Sequence, residues 1–184
     1  MENAINNNNI TLIGVVEKEA EYSHEVFGEG YYIFMLKCLR TSGNEDVLPV
    51  MISDRLTDIR EIKVGQAVTV LGQIRSFNKH TDNMKSKLIL TVFAREFEVL
   101  THDSEELPFE DNTNMVILDA YICKPPIYRC TPKGREIADI LVAVNRPYSK
   151  SDYIPCIAWG RNARFVGGLE TGEHIQIQGR FQSR

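Results

Sequence analysis

Tyr148, Tyr153 and Trp159 stand within twelve residues of one another, interleaved with Lys150, Arg161 and Arg164. Trp159 is the chain's only tryptophan. Flat π faces next to cations offer one kind of non-covalent chemistry: stacking on unpaired bases while the positive groups track phosphates. As a β-strand, Tyr153–Trp159 alternates. Ile154, Cys156 and Ala158 form a small apolar set suited to the inside of a tight barrel, and Tyr153, Pro155, Ile157 and Trp159 face the other way. Packing of Trp159 in a core or an interface is the competing reading. The aromatic pair shares a face opposite the apolar set, which favours stacking.

No catalytic pattern competes with this. The histidines (His24, His80, His102, His174) are scattered, without a triad-like spacing to Ser, Cys or Asp. Gly134 and Gly167-Gly168 lack the neighbours of a phosphate loop. Glu17–Glu25 is expected to be a solvated hairpin tip rather than a metal site. Cys38, Cys123, Cys130 and Cys156 show neither CxxC pairing nor a nearby histidine at ligand spacing, so buried free thiols are expected instead of bridges or zinc ligands. The residues imply no enzyme, no cofactor and no metal.

The elements that must position the aromatic strand emerge from an internal repeat. Asn8–Gly14 lies over Asn114–Ala120 at an offset of 106, and Leu48–Ser53 over Ile154–Trp159 at the same offset. Val64–Ile74 then lies over Thr171–Phe181 at 107. Three blocks in one order make the chain a tandem duplication. Strands are expected at about 9–18, 31–39, 46–52, 67–76 and 88–100, with a helix over Arg55–Ile62 capped by Ser53 or Asp54. The second copy gives strands at about 115–122, 136–144, 153–159 and 174–181, with a helix near Asn162–Leu169. One helix between the third and fourth strands suits a five-stranded Greek-key OB-fold barrel better than a two-sheet sandwich. The expected fold is all-β, two tandem OB-folds: a diverged acidic one over 1–100, a linker over 101–113, and a second over 114–184. That second copy reads as unfinished after Ser183: either the chain is cut short, the plainer explanation, or the second barrel closes with something borrowed.

Charge separates the halves. Residues 112–184 carry 10 Lys and Arg against 6 Asp and Glu, whereas residues 1–111 carry 11 against 19. The net −4 of the chain therefore hides a basic module beside an acidic one. Hydrophobic content of 43% with 25% charged residues is globular composition. No apolar run reaches the ~18 residues of a membrane helix. The opening MENAINNNNITL lacks the features of a signal peptide, so the sequence points to a cytoplasmic protein.

Residues 114–184 resemble the bacterial single-stranded DNA-binding protein family. The matching pieces are Asn114-x-Val116-x-Leu118, Pro126, Thr131-x-x-Gly134, Leu141-x-Ala143-Val144-Asn145-Arg146 and Tyr153-Ile154-Pro155. They continue through Trp159-Gly160-Arg161-x-Ala163, Gly172 and Gly179-Arg180-Phe181-Gln182-x-Arg184. The resemblance implies base stacking by Trp159, Tyr153 and Tyr148 and sequence-tolerant binding of single-stranded DNA in replication, recombination or repair. It further implies a nucleoid-associated homodimer presenting four barrels, with replication and repair proteins as partners. Arg146, Lys150, Arg161, Arg164, Arg180 and Arg184 are the cations expected along the phosphates, Arg146 and Arg161 at family positions.

In the first copy Trp159 becomes Ser53 and Tyr153 becomes Val47, so the stacking face is expected to be largely lost there. For Tyr31, Tyr32, Phe34 and Phe77 the alternatives are a different platform and core or interface packing, of which packing is favoured, and this half is read as a weak binder or assembly module. Glu105–Phe109 superficially resembles the family's acidic partner-recruiting tail but is internal, and reads as linker. The competing function is a protein-interaction module accessory to replication with marginal DNA affinity, and an RNA or oligosaccharide binder is a further rival.

Overall fold

The computed structural model describes residues 6–80, 86–100 and 113–183. The expected linker lies almost wholly outside them, as do Phe109 and Arg184. Among the described residues the chain forms ten strands, one short α-helix and a 3-10 turn. It divides into two compact units, Asn9–Val116 with Gln178–Arg184 and Ile117–Ile177 with Met1–Asn8.

The first barrel is closed. Its strands are β1 (Asn8–Val26), β2 (Glu29–Leu39), β3 (Glu45–Ser53), β4 (Ala67–His80) and β5 (Ser86–Val99). Antiparallel pairs join β1 to β2, β2 to β3, β4 to β5 and β4 to β1, and a parallel pair of β3 with β5 completes the circuit. Alternation along each strand buries Leu12, Phe34, Leu36, Val50, Val70 and Val92 inside it.

The expected helix over Arg55–Ile62 is replaced by a 3-10 turn at Ile59–Glu61. Of the two proposed caps, Asp54 is engaged elsewhere and Ser53 closes only a single turn. The Asp54 carboxylate accepts the Gly30 N–H at 3.1 Å, and the Ser53 hydroxyl accepts the Arg55 N–H at 3.1 Å in a tight turn. Asp58 caps the later start by accepting the Arg60 N–H at 3.0 Å. Too few residues then remain for more than one turn.

The second copy is built from β6 (Asn114–Ile122), β7 (Ile127–Cys130), β8 (Glu136–Arg146), β9 (Lys150–Trp159), α1 (Arg161–Val166) and β10 (His174–Gly179). β8 pairs with β6, β7 and β9, and β10 pairs with β6. Leu118, Ile122, Val142, Val144, Ile154 and Val166 are buried in it. This is the OB-fold order, and the two copies are tandem OB-folds as the repeat predicts. No strand among the described residues bridges β9 and β10 as β5 bridges β3 and β4.

A pair of glycines registers that difference. A Cβ on Gly72 would lie 2.2 Å from the Phe93 carbonyl oxygen of β5, across the bulge after Leu71. At its repeat position, Gly179, a Cβ would meet nothing within 4 Å. Gly72→Ala is therefore expected to destabilise the protein by about 1–3 kcal/mol through forced backbone displacement. Gly179→Ala should leave the urea midpoint nearly unchanged. Equal shifts for the two variants would contradict this packing.

Candidate nucleic-acid interface

β9 presents its residues as the alternation requires. Asp152 and Ile154 are buried, whereas Tyr153 and Trp159 are 48% and 53% exposed on the opposite face. Trp159 lies opposite Ile137 of β8, Ile157 opposite Asp139, Pro155 opposite Leu141, and Tyr153 opposite Ala143. The two rings thus stand at the ends of a low floor, six residues and about 20 Å of strand apart. Gly160, at φ 56°, lets the chain leave β9 abruptly and enter α1 with Trp159 at the strand's outer end.

Tyr148 occupies the tip of the β8–β9 hairpin and is 83% exposed. Both Tyr148 and Ser149 adopt left-handed backbone, at φ 61° and 55°. In the first copy the position matching Ser149 is Gly43, also left-handed at φ 81°. A non-glycine residue there costs about 1–2 kcal/mol. Ser149→Gly should raise stability by up to about 1 kcal/mol in urea denaturation. Destabilisation would show that the turn does not store this strain.

The cations divide by what holds them. Lys150, Arg161 and Arg180 are exposed. Arg164 is ion-paired to Glu136 at 3.0 Å, and Glu136 also accepts the Tyr128 hydroxyl at 2.5 Å. That bond to Glu136, with a smaller contribution from burial, pushes the Tyr128 hydroxyl up to about 12. Arg146 is turned toward the fully buried Asp152, with Nε 3.3 Å from its carboxylate. Its Nε is buried in this ion pair without a hydrogen bond, and the side chain keeps 29% of its surface exposed. Arg184 lies outside the described residues.

Sequence reasoning missed Arg129 and Asp139. Asp139 faces outward beside Ile157, and an acid amid the floor would repel phosphate. Arg129 of β7 neutralises it, with nitrogens at 3.0 and 3.1 Å from one carboxylate oxygen. β7 itself went unpredicted because Pro125, Pro126 and Pro132 bracket four residues that form an edge strand with no buried member. The Thr131–Gly134 turn was the available signal. Cys38 is buried and its thiol is pushed up to about 12 by burial and by Asp46, and burial does the same to Cys156. Among the described residues no cluster of His, Cys, Asp or Glu could hold a metal ion, and no helix is long and apolar enough to cross a membrane.

Residues 113–184 match the model of the single-strand binding protein family. Through this segment the chain is similar to that family. The single-stranded DNA-binding protein of Oceanobacillus iheyensis is 33% identical over 78 residues, which are 39% of this chain and 48% of the relative. Single-stranded DNA-binding protein A of Bacillus subtilis is 35% identical over 78 residues, 39% of this chain and 45% of that protein. The chain thus spans about half the length of the curated relatives it matches. The crystal structure of the single-stranded DNA-binding protein from Thermus aquaticus is similar in fold, with a TM-score of 0.76 at 21% identity. That likeness covers 95% of this chain and 84% of the other, so it extends over both copies of the repeat.

Proposed function

We propose that this chain binds single-stranded DNA without regard to sequence and keeps it unpaired during replication, recombination or repair. The observation that carries this reading is the half-exposed pair Tyr153 and Trp159 on the outer face of β9, within the family-matched segment. Bases stack on Trp159, Tyr153 and Tyr148, while Lys150, Arg161, Arg164 and Arg180 follow the backbone, and Arg146 adds positive charge nearby. The working domains are 1–100 and 114–184, joined by 101–113. A homodimer would bring four barrels to one strand, recruiting replication and repair proteins near the nucleoid in the cytoplasm.

The test is titration of the chain with oligo-dT at several salt concentrations, following the fluorescence of its single tryptophan. Quenching with micromolar or tighter affinity is expected. The slope of log K against log salt should be about −0.7 for each phosphate neutralised. Undetectable binding at low salt would overturn the reading. Sedimentation equilibrium tests the dimer separately.

A further inference from the structure

We propose that the first barrel carries a second platform for unpaired bases, assembled from β2, β4 and β5 rather than from β3. The proposal takes its ligand class from the reading of residues 113–184 just given. Its location rests on different residues.

Ser53 occupies the repeat position of Trp159, and its cross-strand neighbour is Tyr31. In the second copy the corresponding pair is Trp159 with Ile137. The aromatic ring has therefore moved across one ladder step without leaving the outer face. Sequence comparison position by position reads this as a loss; the pairing makes it an exchange. β5, for which the second copy has no counterpart among the described residues, adds Phe93. Its ring centroid is 5.8 Å from that of Tyr31, and His24 stacks on the other side of Tyr31 at 5.1 Å and 15°. The Arg75 guanidinium lies 5.9 Å from the Phe93 centroid.

The β4–β5 hairpin extends this surface. Arg75, Phe77 and Lys79 share one face of β4, opposite Thr91, Ile89 and Lys87 respectively. Phe77 is 44% exposed. Two lysines directly opposite each other on a ladder repel, a cost with no folding return. A polyanion laid along the hairpin would turn that cost into attraction. Residues 73–80 and 86–94 contain three cations and no Asp or Glu, within a half of the chain that is otherwise strongly acidic. Acids border the Tyr31 end of this surface. Glu29 of β2 is bonded to the Ser53 and Tyr31 hydroxyls and paired with Arg55 at 3.5 Å. The Asp54 carboxylate accepts the Gly30 N–H, and Glu21 stands opposite Ile33. Aromatic faces interleaved with cations, one of them over a ring, make this a stacking surface with a phosphate track.

The experiment uses the full chain and two readouts. Trp159 fluorescence reports the second barrel alone, and anisotropy of fluorescein-labelled oligo-dT reports every contact. Lys79→Ser with Lys87→Ser should make the salt slope shallower by about 1.4, two phosphates' worth. Phe77→Ala should weaken binding of long oligo-dT by about fivefold or more. The oligo length needed for full affinity should shorten in both variants, while short oligo-dT quenches Trp159 as before. An unchanged slope and length requirement, with quenching intact, overturns the proposal. So does a change confined to sedimentation, which would make the face a protein interface. Anisotropy that responds to the lysine variants without any quenching of Trp159 would support this platform and sink the one on β9. Failure of the unaltered chain to bind would overturn both.

Discussion

Trp159→Ala is expected to weaken oligo-dT binding by about 5- to 150-fold, the equivalent of one base stack of roughly 1–3 kcal/mol. The expected size follows from the ring's situation. It ends a strand whose opposite face is sealed by Ile154, so the indole contributes to the outer surface and little to the core. Truncation should therefore leave the urea midpoint almost unchanged, since substitutions away from core packing usually fall within about 0.5 kcal/mol. A core tryptophan would behave in the opposite way, with a loss of about 3–5 kcal/mol in stability. Measuring affinity by anisotropy and stability by denaturation on the same variant separates these cases. Loss of stability without a specific loss of affinity would return Trp159 to the packing role that its residue type first suggests. Tyr153→Ala should act in the same direction with a smaller effect, because phenol offers less stacking area than indole.

The residues that made the fold legible are those whose alternation repeats at an offset of 106. Leu48, Val50 and Ile52 point inward in the first copy as Ile154 does in the second, and one period-2 pattern predicts both. The exposed face of β9 was legible for the same reason. Three things were not. The Arg55–Ile62 helix failed where Asp54 bonds to β2, which is a tertiary contact with no local signature. β7 escaped because four exposed residues between prolines carry no hydrophobic period, and Arg129 and Asp139 were hidden with it. Compared along the chain, the repeat favours packing over a platform for Tyr31, whereas the pairing with Ser53 becomes visible only across the ladder.

The second large effect is expected at Asp46, whose replacement by alanine should cost about 3 kcal/mol, near the lower bound for a broken buried ion pair. Asp46 is fully buried and takes Arg40 Nε at 2.7 Å and a second guanidinium nitrogen at 2.5 Å, together with the Ser183 N–H at 2.9 Å. Burial alone would push its carboxyl up. The Arg40 hydrogen bonds, then the Ser183 N–H, outweigh burial and hold it below the usual carboxylate range. A carboxyl depressed on folding stabilises the native state above its unfolded pKa, near 3.9, and that contribution fades as pH falls through the lower folded value. Denaturant midpoints should therefore fall with acidification in the parent chain, and the part due to this site should vanish in Asp46→Ala. A loss under about 1 kcal/mol at pH 7 would mean that Arg40, which keeps 20% of its side-chain surface exposed, rehydrates freely. The same pair recurs 106 residues on as Arg146 and Asp152, again joining the end of one hairpin strand to the start of the next. A charge pair present in both copies, one with and one without the β9 aromatics, has a role in the fold that does not depend on them. Arg146 thus anchors the hairpin that carries Tyr148, and Arg146→Ala should lower stability more than it changes the salt dependence of binding.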